Sequence, residues 1–156
     1  MRKGSAKIRP LLPDPKYKDP LVTRIANNIM KSGKKGLAYT ILYTALDMIT
    51  EKTGEAGIEV LKKALHNISP TVETKRRRVG GATLQVPIEV REHRKIYLAI
   101  KWLLDEARSR SGEKTMEGKL AYEIIAASKE EGKAFKKKVD MHKMAESNRA
   151  FSHFRI

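Results

Sequence analysis

Apolar residues recur along this chain at two different periods. Leu21, Ile25 and Ile29 are four apart with Val22 beside them, which is one face of a helix. Asp19-Pro20 just ahead supplies an N-cap and a first-turn proline, and the helix is expected to stop at Ser32-Gly33. Leu37, Ile41, Ala45 and Met48, with Leu42 and Ile49 alongside, predict a second helix that Gly54 and Gly57 punctuate. Ile58, Leu61, Leu65 and Ile68 predict a third, closed by Ser69-Pro70.

The period then drops to two. Leu84, Val86, Ile88 and Val90 alternate with Gln85, Pro87 and Glu89, and Val72 and Thr74 begin a partner strand. Gly80-Gly81 between them can take the positive φ angles of a tight hairpin turn. Pro87 cannot donate to a ladder, so the ribbon is expected to have only an edge partner there. Helical spacing returns with Ile96, Ile100, Leu103 and Ala107, near Trp102, up to Gly112. It continues with Met116, Leu120, Ile124 and Ala127, and again from Phe135 and Val139 through His142, Met144 and Ala145. The expected fold is mainly α: one domain over 1–156, a bundle of six helices with one protruding two-stranded antiparallel β-hairpin at 72–90. A basic extended arm at 1–18, stiffened by Pro10, Pro13 and Pro15, and a tail at 149–156 complete it.

Charge changes this picture from a bundle to a binder. The 156 residues include 33 Lys and Arg against 18 Asp and Glu, a formal net charge of +15. Such an excess repels itself and calls for a polyanion, nucleic acid ahead of an anionic membrane. No run of about 18 apolar residues offers a membrane span, and the basic amino terminus lacks the apolar stretch of a secretory signal. With no Cys there are no disulfides, thiolate zinc sites or cysteine nucleophiles, in keeping with a reducing compartment.

The cations fall in clusters. Arg2, Lys3, Lys7 and Arg9 lie in the arm, and Lys34 and Lys35 in the connection between the first two helices. Lys75, Arg76, Arg77 and Arg78 crowd one strand beside the Gly80-Gly81 turn. Arg91, Arg94 and Lys95 flank a helix start, where cations oppose the macrodipole unless an anion neutralises both. Lys136, Lys137 and Lys138 run inside the last helix, where consecutive residues fan around the axis and an ordinary solvated face is an equal reading.

Catalysis has little to stand on. No two of His66, His93, His142 and His153 are spaced as a helical metal pair, and Asp105-Glu106 and Glu130-Glu131 are neighbours that point apart. A Walker loop would need Gly in place of Asn28 and Ser or Thr in place of Lys35. No enzyme, metal, cofactor or small-molecule substrate is expected. Arginine forks suit phosphates, and a rigid ribbon can enter a groove. With few aromatics for stacking, shape and backbone recognition of a folded nucleic acid is favoured over reading single-stranded bases, and the layout does not itself separate RNA from DNA. An architectural DNA-binding protein using the same ribbon is the alternative that this layout leaves open.

The run from Arg77 to Val90, Arg-Arg-Val-Gly-Gly-Ala-Thr-Leu-Gln-Val-Pro-Ile-Glu-Val, resembles the hairpin of the small ribosomal subunit protein seven family. Asp19 to Ala45, with Gly33-Lys34-Lys35 at its centre and Ile41-Leu42 near its end, resembles that family's amino-terminal signature. Lys101-Trp102, Lys136-Lys137-Lys138 and the stretch Met144 to Phe151 follow in the family's order, so the resemblance spans essentially the whole chain.

The resemblance implies a structural, non-catalytic protein that binds 16S rRNA directly and organises the head domain of the small subunit. It implies a position near the exit-site tRNA and the mRNA path, with contacts to neighbouring proteins including the eleventh. The location implied is the small ribosomal subunit in the cytoplasm, or in an organelle. Arg76, Arg77 and Arg78, Lys34 and Lys35, and Arg94 and Lys95 match its RNA-contacting regions; the arm cations carry over as a group. Gly80 and Gly81 would mark the tip near exit-site tRNA, and Phe151, Phe154 and Arg155 the tail near the mRNA path and the eleventh protein. Glu92 departs from a frequent proline, and Ile156 from a frequent terminal aromatic residue.

Overall fold

The computed structural model describes Gly4 and residues 10–154. Six α-helices run in chain order: α1 (Pro20–Ile29), α2 (Lys35–Thr53), α3 (Gly57–Ile68), α4 (Glu92–Ser109), α5 (Met116–Ser128) and α6 (Gly132–Ser147). Strands β1 (Val72–Val79) and β2 (Ala82–Glu89) form the hairpin between α3 and α4, and a short 3-10 helix (Arg149–Phe154) ends the described chain. That last turn adds a seventh helical piece where the sequence suggests only a tail. No helix among the described residues is long and apolar enough to cross a membrane.

α5 is the central element and packs against α2, α3, α4 and α6. Its Leu120, Ala121, Ile124 and Ala127 are fully buried, and Leu103, Leu104 and Trp102 of α4 close over them in one continuous core. The start of α1 follows the sequence closely: the Asp19 carboxylate accepts from the Leu21 N–H at 2.8 Å, with Pro20 in the first turn. The helix ends at Ile29, three residues before the expected Ser32-Gly33 stop.

Two faces are rotated from the expected ones. In α2 the buried residues are Ala38, Leu42, Ala45, Leu46 and Ile49; Ile41 and Met48 are half-buried and Leu37 is 56% exposed. α2 carries apolar groups around much of its circumference, so spacing alone cannot choose the stripe that packing selects. In α6 only Ala134 and Ala145 are buried, while Met144 faces outward and receives the Thr74 hydroxyl at 3.5 Å.

The ribbon pairs Val79 with Ala82 across Gly80 and Gly81, whose φ angles of 56° and 89° are those of a type I′ turn. Counting pairs from that turn puts Pro87, opposite Thr74, at a non-hydrogen-bonded position, so its missing N–H breaks no ladder bond. The ladder continues one step beyond β2, where the Val90 N–H reaches the Thr71 carbonyl at 3.0 Å. The arm also departs from the extended reading. Residues 15–17 form a turn, and Asp14 is 1% exposed.

Candidate nucleic-acid interface

The base of the ribbon is held against α4 and α6. At the base, Glu73 is buried and takes both Arg94 Nε contacts at 2.9 Å and Nη2 at 2.8 Å, with Lys75 Nζ at 3.8 Å. On the opposite face, Thr74 meets Met141 and Met144 of α6. Beyond these contacts the strands run out to the exposed Gly80-Gly81 turn. Side chains alternate along a strand, so Arg76 and Arg78 share one face while Lys75 and Arg77 share the other. The basic strand therefore presents cations on both sides of a two-residue-wide blade. Arg76 and Arg78 are exposed and form no ion pair among the described residues.

The start of α4 is more heavily partnered than its sequence suggests. Arg94 is committed to Glu73 and Lys95 to Glu92 at 2.5 Å, so carboxylates do the neutralising there, in place of a bound phosphate. Arg94 still keeps 42% of its side chain exposed. It lines, with Lys75, Arg91 and His93, a cleft of about 560 Å³ between the ribbon base and α4. Cations at a helix start without an acid occur at α2, where Lys34 is the N-cap, Lys35 opens the first turn, and that turn has no Asp or Glu. Lys35 Nζ lies 5.8 Å from the Tyr39 ring centroid.

The lysine run of α6 fans out as helical geometry requires. Lys137 bonds Glu106 at 2.7 Å and holds that carboxyl below the usual carboxylate range; Lys138 donates to the Asn67 carbonyl at 2.8 Å. Lys136 is exposed. In the tail, Phe151 and Phe154 are half-buried in the 3-10 helix, which packs on β2. Arg2, Lys3, Lys7, Arg9 and Arg155 lie outside the described residues.

The structure thus gathers Lys75, Arg91 and Arg94 at one cleft, leaves Arg76 and Arg78 on the blade, and sets Lys34 and Lys35 apart at the start of α2. Glu73 organises the first group but is not conspicuous in sequence. Its signal is a lone acid at the strand position on the same face as Lys75. Among the described residues, no group of three His, Asp or Glu could hold a metal ion.

Comparison with known proteins decides the family. The family model for ribosomal protein S7p/S5e matches residues 1–149. The chain belongs to this family. It is 72% identical over 156 residues, all of both chains, to small ribosomal subunit protein uS7 of Amoebophilus asiaticus. Over the full length of both it is 59% identical to the protein of that name from Cytophaga hutchinsonii. It is 54% identical over 155 residues, 99% of each chain, to that of Fervidobacterium nodosum. The S7p/S5e family consists of ribosomal proteins and is not a family of enzymes.

Proposed function

We propose that this protein is a structural constituent of the small ribosomal subunit that binds its 16S rRNA directly and organises the head domain. What carries the reading is the exposed, unpaired state of Arg76 and Arg78 on a ribbon whose base is fixed by Glu73 and Arg94. Charges that have no carboxylate of their own, on a preformed blade, are suited to the phosphates of converging RNA helices. Lys34 and Lys35 at the α2 start, and the cleft of Arg91 and Arg94, supply further contacts on the same scaffold. On this reading Gly80 and Gly81 approach the exit-site tRNA, and the tail with Phe151 and Phe154 lies towards the mRNA path and the eleventh protein of the subunit.

The test is binding of the full-length protein to the 3′ major domain of 16S rRNA across a salt series, with duplex DNA as competitor. Neutralising roughly 6–10 phosphates should cost about three to five decades of affinity between 50 and 200 mM salt. Replacing Arg76 and Arg78 with Ala should lower the slope of log affinity against log salt by about two. Lys137→Ala, which removes a cation already paired to Glu106, should change it far less. A flat salt response, or preference for DNA, would overturn the proposal.

A further inference from the structure

Glu73 is a buried acid on the wall of a cleft that Lys75, Arg91 and Arg94 also line, where charge alone argues against it. Glu89, which lines the cleft too, is exposed. Arg94 Nε lies 2.9 Å from both Glu73 oxygens, and Nη2 lies 2.8 Å from Oε2. Lys75, more than half exposed, stands back at 3.8 Å. A carboxylate bound in this way occupies the Nε edge of the guanidinium. Because the five N–H donors of an arginine form a rigid fork, the end made by Nη1 and the second Nη2 hydrogen is left over. The Arg94 side chain is 42% exposed and borders the cleft of about 560 Å³.

The ribbon base has other holds. On the α6 side the Thr74 hydroxyl meets Met144 Sδ at 3.5 Å, and the Thr71 N–H meets His142 Nε2 at 3.1 Å. The Val90 N–H bonds the Thr71 carbonyl at 3.0 Å where the ribbon joins α4. None of these contacts involves Glu73 or Arg94. What Glu73 adds is a fixed direction for a long side chain. Setting that direction beforehand removes part of the ordering cost of binding. The two parallel N–H groups at the free end of a guanidinium match two oxygens of one phosphate.

We infer that Glu73 is a positioning residue for RNA: it grips one edge of the Arg94 guanidinium and aims the free end at a backbone phosphate in the cleft between ribbon and α4. The inference rests on the RNA-binding reading above and names the residue that makes one of its contacts bidentate. The sign of the effect separates aim from charge. Removing an acid beside a phosphate, and releasing Lys75 with it, strengthens binding if charge alone matters. It weakens binding if the direction of Arg94 matters.

The experiment measures full-length proteins on the 3′ major domain of 16S rRNA across a salt series. Glu73→Gln keeps the volume but leaves one acceptor oxygen and turns an amide N–H group on the fork. We expect it to weaken binding about tenfold, the scale of one charge-assisted contact, and to lower the slope of log affinity against log salt by about one. Arg94→Lys keeps the charge without the fork and should lose about as much, and Glu73→Gln added to it should cost nothing more. With Arg76 and Arg78 replaced by Ala, the loss from Glu73→Gln should persist in full. A loss that disappears on that neutralised blade would make Glu73 an anchor of the ribbon and overturn the inference. So would a further loss on top of Arg94→Lys, or unchanged or tighter binding by Glu73→Gln. Should Glu73→Gln fail to fold, unchanged binding by Arg94→Lys alone overturns it. If the unsubstituted protein does not bind the fragment, the RNA-binding reading itself falls; if it binds and Glu73→Gln binds as well, only the positioning role does.

Discussion

Gly57 begins α3 where that helix meets α2, and no larger residue fits. A Cβ there would collide with the Leu46 carbonyl oxygen, while the Gly57 N–H already donates to the Thr50 hydroxyl oxygen at 3.0 Å. The collision is with backbone, which cannot swing aside as a flexible side chain can. Gly57→Ala should therefore cost about 1–3 kcal/mol through forced displacement of α3. A urea titration followed by far-ultraviolet circular dichroism checks this, and a midpoint equal to that of the unsubstituted protein would refute it. Sequence gives no warning here: Gly57 reads as punctuation between two helices, since close approach is a property of the pair. The same holds for Asp14. Its Asp-Pro turn can be read locally, but the phenol that buries it comes from Tyr43, 29 residues away.

At the scale of elements, the ribbon depends on α6 through an imidazole. The Thr71 N–H donates to His142 Nε2 at 3.1 Å, a bond that needs this nitrogen unprotonated. Burial, with Lys138 one turn away, pushes the His142 pKa below its ordinary 6.5; Glu146 and Arg149 line the same cleft. A folded-state pKa below the unfolded one means that the unfolded chain binds the proton first. The stability from neutral His142 is thus present above about pH 6.5 and is lost as pH falls from there towards the lower folded value. Melting temperature should decline between pH 7.5 and 5.5, and His142→Gln should remove that part of the decline. Identical pH profiles for the two proteins would exclude the histidine. Periodicity made the elements themselves legible, because each buries one face; the strands and the type I′ turn stand out in the alternation around Gly80-Gly81. It failed at α2, where Leu37 and Ile41 compete with Ala38, Leu42 and Leu46 for the core and only the neighbouring helices decide. It also missed the pairing of Arg94 with Glu73 and of Lys137 with Glu106, across 21 and 31 residues.

Over the whole molecule, the distribution of charge matters more than its sum. Asp14, Glu73 and Glu123 are buried, and no Lys or Arg among the described residues is. Glu123 accepts Arg110 at 2.6 Å and the Ala134 N–H at 2.9 Å, so it ties the loop before α5 to the first turn of α6. Acids are thus drawn inward to hold elements together, and the surface is more cationic than the formal +15 implies. Two opposite salt responses follow. For the free protein, screening relieves repulsion among surface cations, so raising potassium chloride from roughly 50 to 500 mM should raise the melting temperature. For the RNA complex the same salt removes the entropy of counterion release and should weaken binding. Differential scanning calorimetry of the free protein separates the two. A melting temperature that fell steadily with salt would mean that attractive pairs such as Lys16–Asp47 and Lys62–Asp19 outweigh the surplus. The surface would then be balanced locally in spite of its net charge, and RNA would not be needed to offset any repulsion.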